Sequence, residues 1–233
     1  MSQMERLKEK LAKLRLKAML ENLDSVMKQT AEKNLDPWTA LSMLAELEIE
    51  QRLQNSMALR WRQSKLNEKV SIDQFDFDHH KSRKEQKGKI LNLMNLEFIQ
   101  KRMDVILIGT PGTGKTFLAK AIAFTACNNN IKVLFTTAID MINHLIAAEA
   151  DRSLLKKLAF YQSADLLVCD ELGYLSLGEQ GSHLFFQVIS QRHRQKSTIL
   201  TTNKLCSALH NLFNAELIVM RSPLFMDSAI PSY

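Results

Sequence analysis

No apolar run in the 233-residue sequence reaches the ~20 residues a helix needs to span a bilayer. The opening stretch, MSQMERLKEKLAKLRLK, interleaves leucine with charge and lacks the apolar heart of a secretory signal. A cytoplasmic chain without membrane association is therefore expected. Cysteine is scarce: Cys127, Cys169 and Cys206 stand far apart, with no CxxC and no Cys/His pattern. That argues against a zinc site and against a disulfide framework, and for free buried thiols in a reducing compartment. Glycine is scarce too. The chain has seven, and three of them fall within residues 109–114. No internal repeat and no low-complexity segment is present.

What remains is ordinary globular material. Hydrophobic residues make up 45%, enough for a core, and the 24% of charged residues does not suggest disorder. The net charge of +6 favours polyanionic partners, nucleic acid first.

Residues 4–33 read as one amphipathic helix, with Leu7, Leu11, Leu14 and Ala18 at helical spacing and Ser2 and Glu5 in capping-box positions. Asp36 and Pro37 are placed as N-cap and first residue of a second helix running to about Leu66. These two helices form the expected helical N-terminal domain, 1–69, and their cation-bearing polar faces suggest contact with DNA or a partner. Residues 70–90 look like a linker, in which His79-His80 lacks further ligands at metal spacing. Its basic run, Lys81, Arg83, Lys84, Lys87 and Lys89, reads as a solvated face, with phosphate contact the sharper alternative. From residue 91 the pattern alternates helix with strand: a helix at Leu91–Ile99 and strands at Asp104–Ile108, Lys132–Thr136, Leu166–Cys169 and Thr198–Thr202, with helices between. This predicts an α/β domain over 91–204, a parallel sheet with helices on both faces.

The chemistry is carried first by Gly109-Thr110-Pro111-Gly112-Thr113-Gly114-Lys115-Thr116, a full GxxxxGK[ST] P-loop between an apolar strand and an Ala-rich helix at Thr116–Asn128, with Phe117 added to the octet as an expected nucleotide-binding position. Glycines let the backbone turn its N–H groups inward around phosphates. The helix adds its positive end. Lys115 is a flexible charge for the β- and γ-phosphates, and the Thr116 hydroxyl is a ligand for Mg²⁺. A bound nucleoside triphosphate with Mg²⁺ is the expectation.

Downstream, Asp165-Leu166-Leu167-Val168-Cys169-Asp170-Glu171 is an apolar strand ending in two carboxylates. Ligands bind at the carboxyl ends of strands in such sheets. Asp170 is placed to hold the metal shell, and Glu171 to orient and deprotonate the attacking water. The third element, Ser197–Asn203, is a β-rich stretch ending in a polar residue, and Asn203 is placed to hydrogen-bond the water or the γ-phosphate.

Together these elements resemble an AAA+ ATPase, with Walker A at 109–116, Walker B at 165–171 and sensor 1 at Asn203. The closer resemblance is to the IstB-type ATP-binding proteins of bacterial insertion sequences, sister to DnaC-type helicase loaders. It is carried by Leu11–Lys17, Val133–Ala138, Asp170–Leu175 and Ser197–Asn203, and covers about residues 1–204. The resemblance implies ATP rather than GTP, non-specific binding to double-stranded DNA, an ATP-dependent homo-oligomer and a separate transposase that cuts and joins DNA. No acidic triad suited to a nuclease is present in this chain. The family continues after sensor 1 with a helical region bearing arginines, whereas Leu205–Tyr233 does not resemble it and holds Arg221 alone. A gene altered near residue 205 is expected, with binding retained and hydrolysis or ring assembly weakened. Two alternatives stand beside this reading: a DnaC-like helicase loader with the same P-loop chemistry, and, from a different class, a nucleotide-dependent DNA-binding scaffold with negligible turnover.

Overall fold

A computed structural model describes residues 2–79, 81–172 and 178–203, and the backbone of 215–220. The chain divides into two compact units, Met1–Leu59 and Arg60–Tyr233.

The first unit holds α1 (Gln3–Lys13), α2 (Lys17–Glu32) and most of α3 (Pro37–Gln63). The Ser2–Glu5 capping box is present: the Glu5 N–H donates to Ser2 Oγ at 3.1 Å and the Ser2 N–H to Glu5 Oε2 at 2.6 Å. Asp36 caps α3 through the N–H groups of Trp38 and Thr39, at 2.9 and 3.1 Å. The single helix expected over 4–33 is in fact two. Arg15 sits at φ 58°. The Leu16 N–H reaches the Leu11 carbonyl and the Arg15 N–H the Ala12 carbonyl, both at 3.0 Å, which is a Schellman end. Leu11, Leu23, Val26, Ala40 and Leu44 form the small core of this unit.

The new helix, α2, has Leu16 as its N-cap and no capping hydrogen bond from that side chain. The carboxylate of Glu48, on α3, accepts from the N–H groups of Ala18 and Met19 at 2.8 and 3.3 Å. An acid at a helix N-terminus meets both the unpaired amides and the positive dipole end. Over residues 1–59, Lys and Arg equal Asp and Glu in number. Lys8, Lys17 and Lys28 pair with Asp24, Glu21 and Glu32. The net positive charge resides in the second unit.

In the second unit, the end of α3 is followed by a 3-10 turn at Ile72–Gln74, α4 (Lys81–Leu93) and α5 (Glu97–Gln100). The helix expected at 91–99 is interrupted because Leu96 adopts φ 60°. Alternation then runs β1 (Asp104–Gly109), α6 (Lys115–Asn128), β2 (Val133–Thr137), α7 (Ala138–Ala150), α8 (Leu154–Gln162), β3 (Leu166–Asp170), α9 (Gly178–Arg192), β4 (Ser197–Thr202) and β5 (Ala215–Met220). The five strands are parallel in the order β2-β3-β4-β1-β5. The fifth strand was not expected from the sequence and lies within 205–233; the other residues of that stretch, Arg221 and Cys206 included, lie outside the described residues.

Period-2 alternation explains why helices cover both faces. Val105, Leu107, Leu166, Val168 and Ile199 point to one side, against Leu118, Ile122, Ala123 and Ala126 of α6 and Ile90 and Leu93 of α4. Ile106, Ile108, Leu167, Cys169 and Leu200 point to the other, against Met141 and Leu145 of α7, Tyr161 of α8 and Leu184 and Val188 of α9. Cys127 and Cys169 are free and buried, and burial pushes both thiols up. Among the described residues no helix is long and apolar enough to cross a membrane.

The stretch 70–90 is more than a connection. Val70 and Phe75 are buried, and Phe75 belongs to the core under α6. Arg83, expected on a solvated face, is only 8% exposed. Its neighbours Lys81, Lys84, Lys87 and Lys89 are exposed.

Candidate functional site

Three chain segments converge at the carboxyl ends of β1, β3 and β4. The loop after β1 needs two residues at positive φ, Gly112 at 78° and Gly114 at 91°. A side chain at Gly114 is excluded for a second reason, since its Cβ would lie 2.6 Å from Phe75 Cε2. The Thr110 carbonyl is the hub of the loop. It accepts from Thr113 Oγ1 at 2.8 Å, Lys115 Nζ at 2.9 Å and the Thr113 N–H at 3.4 Å. Lys115 and Thr116 open α6, with Gly114 as its N-cap.

Pro111, Gly112, Gly114, Lys115, Thr116 and Glu171 line one cleft of about 290 Å³, together with Thr201, Thr202 and Asn203. A second cleft of about 430 Å³ shares Thr116 and Glu171 and adds Asp170, Lys120 and Thr136. Of the residues singled out from sequence, Lys115, Thr116, Asp170, Glu171 and Asn203 thus meet at one place. Gly109 ends the buried strand β1, Thr113 is buried behind the loop, and Phe117 stacks at 5.6 Å on Phe75.

Asp170 is 3% exposed and takes hydrogen bonds from the hydroxyls of Thr116, at 3.1 Å, and Thr201. Strand register explains the second contact. Cys169 pairs with Leu200, so the next residues on each strand, Asp170 and Thr201, stand side by side. The Thr201 oxygen also accepts from the N–H of Glu171 at 2.9 Å. Glu171 itself is exposed and sits at φ 62°, a conformation that costs a non-glycine residue free energy and needs such a tether. Burial pushes the Lys115 ammonium below the usual lysine range, opposed by the nearby Asp170 and Glu171 carboxylates. Two polar atoms, Thr110 Oγ1 and Asn203 Oδ1, are buried with no hydrogen-bond partner among the described residues.

Residues not singled out as site residues contribute as well. Thr201 adjoined a recognised element, but only the strand register shows its reach. Arg83 lies about thirty residues upstream of the loop it touches. Its Nε donates to the Thr113 carbonyl at 3.0 Å, Nη2 to the Gly112 carbonyl at 3.3 Å and Nη1 to the Asp76 carbonyl at 2.9 Å. Its guanidinium lies 4.5 Å over the Phe75 ring. Burial lowers the pKa of this guanidinium, with Asp76 opposing the shift.

The donor set suits a magnesium ion that travels with phosphate. Among the described residues no group of three His, Cys, Asp or Glu side chains is placed to hold a metal alone. Magnesium typically takes one or two protein oxygens and completes its shell with waters and substrate phosphates. The Thr116 hydroxyl and the Asp170 carboxylate supply that number.

The family model described as IstB-like ATP binding protein matches residues 9–221. The match runs past residue 204, where similarity was expected to stop, and takes in β5. A protein of Geobacillus stearothermophilus, named as an ATP-binding protein of insertion sequence IS5376, is 34% identical over 86% of this chain and 79% of its own length. One from Bacillus thuringiensis subsp. berliner, named for insertion sequence IS232, is 32% identical over 82% of this chain and 75% of its own length. Among solved structures, the DnaC helicase loader superposes with a TM-score of 0.57 at 23% identity, over 65% of this chain and 96% of that one. The fold is that of the AAA+ P-loop ATPases.

Proposed function

The chain belongs to the IstB-like ATP-binding protein family, and from that premise we propose that it binds and hydrolyses ATP as a DNA-binding helper of a transposase in insertion-sequence transposition. The observation that carries the reading is that Lys115, Thr116, Asp170, Glu171 and Asn203 line two clefts beside the glycine loop that share Thr116 and Glu171.

In this reading the loop amides and Lys115 hold the β- and γ-phosphates. Thr116 and Asp170 would hold Mg²⁺, whose charge would offset that of the phosphate oxygens. Glu171 orients a water in line with the γ-phosphorus and takes its proton as the new P–O bond forms. The bond to the β–γ bridging oxygen breaks, leaving ADP and phosphate. Asn203 steadies the water or the γ-phosphate with its side-chain amide. The net charge of +6 supports double-stranded DNA as a non-specific partner, engaged by an ATP-dependent homo-oligomer. The likeness to the DnaC loader is one of fold and does not carry helicase loading.

The test measures nucleotide binding and phosphate release, with and without duplex DNA, for the wild type, Lys115→Ala and Glu171→Gln. Lys115→Ala is expected to lose nucleotide, and Glu171→Gln to keep it while release falls at least 100-fold. Wild-type release no faster than that of Glu171→Gln sinks the enzymatic reading. DNA affinity is expected to fall steeply with salt; affinity insensitive to salt contradicts the DNA reading.

A further inference from the structure

The geometry points to Arg83 as a positioning residue of the phosphate loop, one that sets nucleotide affinity without touching nucleotide. The inference rests on the ATP-binding reading above and adds to it a residue that the loop motif does not contain.

A P-loop works by aiming backbone N–H groups at phosphate. Each peptide group is planar and trans, so its C=O and N–H point in opposite directions. Fixing a carbonyl on one side of the loop therefore fixes the next residue's N–H on the other. Arg83 does this at two consecutive peptides, through the carbonyls of Gly112 and Thr113. The amide turned away by the Thr113 contact is that of Gly114, a residue lining the cleft. The amide turned away by the Gly112 contact, that of Thr113, reaches the Thr110 carbonyl.

These contacts matter because glycine carries little intrinsic preference. Gly112 and Gly114 have access to far more backbone conformations than the one seen, and a loop free to sample them would have to be ordered by the ligand. Arg83 and Phe75 supply the order beforehand. The guanidinium is planar, presents its donors in a fixed fork and is 8% exposed, so its hydrogen bonds are shielded from water. Its third donor closes on the Asp76 carbonyl, and its face rests on Phe75. Phe75 in turn sits against Gly114 and stacks on Phe117 in the first turn of α6. Phe75, Asp76 and Arg83 together thus brace the loop, and the guanidinium adds a positive charge beside it.

The experiment compares full-length wild type, Arg83→Ala, Arg83→Lys and Lys115→Ala. Readouts are ATP affinity with Mg²⁺ present, turnover at saturating ATP, and thermal unfolding without nucleotide. Arg83→Ala is expected to weaken ATP affinity roughly 10- to 100-fold, the range for charge-assisted hydrogen bonds, and to raise KM with kcat within about twofold. Should Arg83→Ala fail to fold, Arg83→Lys decides. Its single ammonium keeps the charge and loses the fork, so affinity is expected to fall severalfold in a folded protein. Affinity equal to wild type in either folded variant overturns the inference, as does a loss confined to kcat. Retention of ATP by Lys115→Ala would instead remove the reading beneath it, so the two failures are distinguishable.

Discussion

The hydroxyl of Thr201 donates to Asp170 and accepts from the backbone N–H of Glu171, so one oxygen on β4 ties together both carboxylate residues at the end of β3. Neither contact follows from residue type alone. They follow from a parallel register that sets β4 beside β3, with Leu200 opposite Cys169. The arrangement predicts the effect of Thr201→Val, which keeps the β-branched shape and removes the hydroxyl. Partners that orient a metal ligand typically change affinity or activity 10- to 100-fold when removed. Phosphate release is expected to fall by about that factor and to require more Mg²⁺ for half-saturation, while Thr201→Ser restores both. An unchanged Mg²⁺ dependence in Thr201→Val counts against the role.

How much of this was legible in advance depended on sequence distance. The P-loop, its flanking strand and helix, and the Asp170-Glu171 strand end are local patterns, and they appear where the sequence indicates. So do the Ser2 and Asp36 caps, each made with residues two or three positions away. The break at Arg15 was not legible because Leu14-Arg15-Leu16 holds no glycine, asparagine or proline to signal a left-handed residue. Arg83 was hidden for another reason. Its neighbours Lys81, Lys84 and Lys87 are exposed, and composition cannot tell which cation in a basic run turns inward to meet carbonyls thirty residues away.

The cap on α2 was equally hidden, and it carries a pH prediction. Glu48 lies thirty residues from the amide of Ala18 that it accepts from, and Arg52 donates to its other oxygen at 2.8 Å. The Arg52 contact, with help from the Ala18 and Met19 amides, holds the carboxyl below its ordinary value of 4.5. A carboxylate whose pKa is lowered on folding contributes stability that is fully present above the unfolded value and lost as pH falls through the folded one. Thermal melts of the full chain, followed by helical circular dichroism from pH 6 to pH 3, are expected to show the wild type losing stability below about pH 4.5. In Glu48→Gln the melting temperature should be lower at pH 6 and the decline shallower. Parallel curves for the two proteins contradict the assignment.

Arg192 separates stability from the site. It is 1% exposed. It donates to the carbonyls of Tyr161 and Ala164 at 2.9 Å, Gln162 at 3.3 Å and Ser197 at 2.6 Å, and to Thr198 Oγ1 at 3.2 Å. Tyr161 and Gln162 close α8, so two of these carbonyls are the unpaired ones every helix end leaves. Burial pushes the guanidinium down to about 10, still well above neutral pH, so these are bonds from a cation. Lysine at this position keeps the charge and has no fork to reach carbonyls on three sides. Arg192→Lys is expected to cost about 2–3 kcal/mol, and Arg192→Ala, which also leaves a cavity, about 3–5 kcal/mol, read as a drop in urea midpoint at constant slope. The contacts lie at the beginning of β4, while Thr202 and Asn203 lie at its end, about 17 Å along a six-residue strand. ATP affinity of the folded Arg192→Lys protein should therefore stay within about twofold of wild type, since sites this far apart with no shared partner behave additively. A variant with wild-type urea midpoint would show that these five bonds only replace ones made equally well with water.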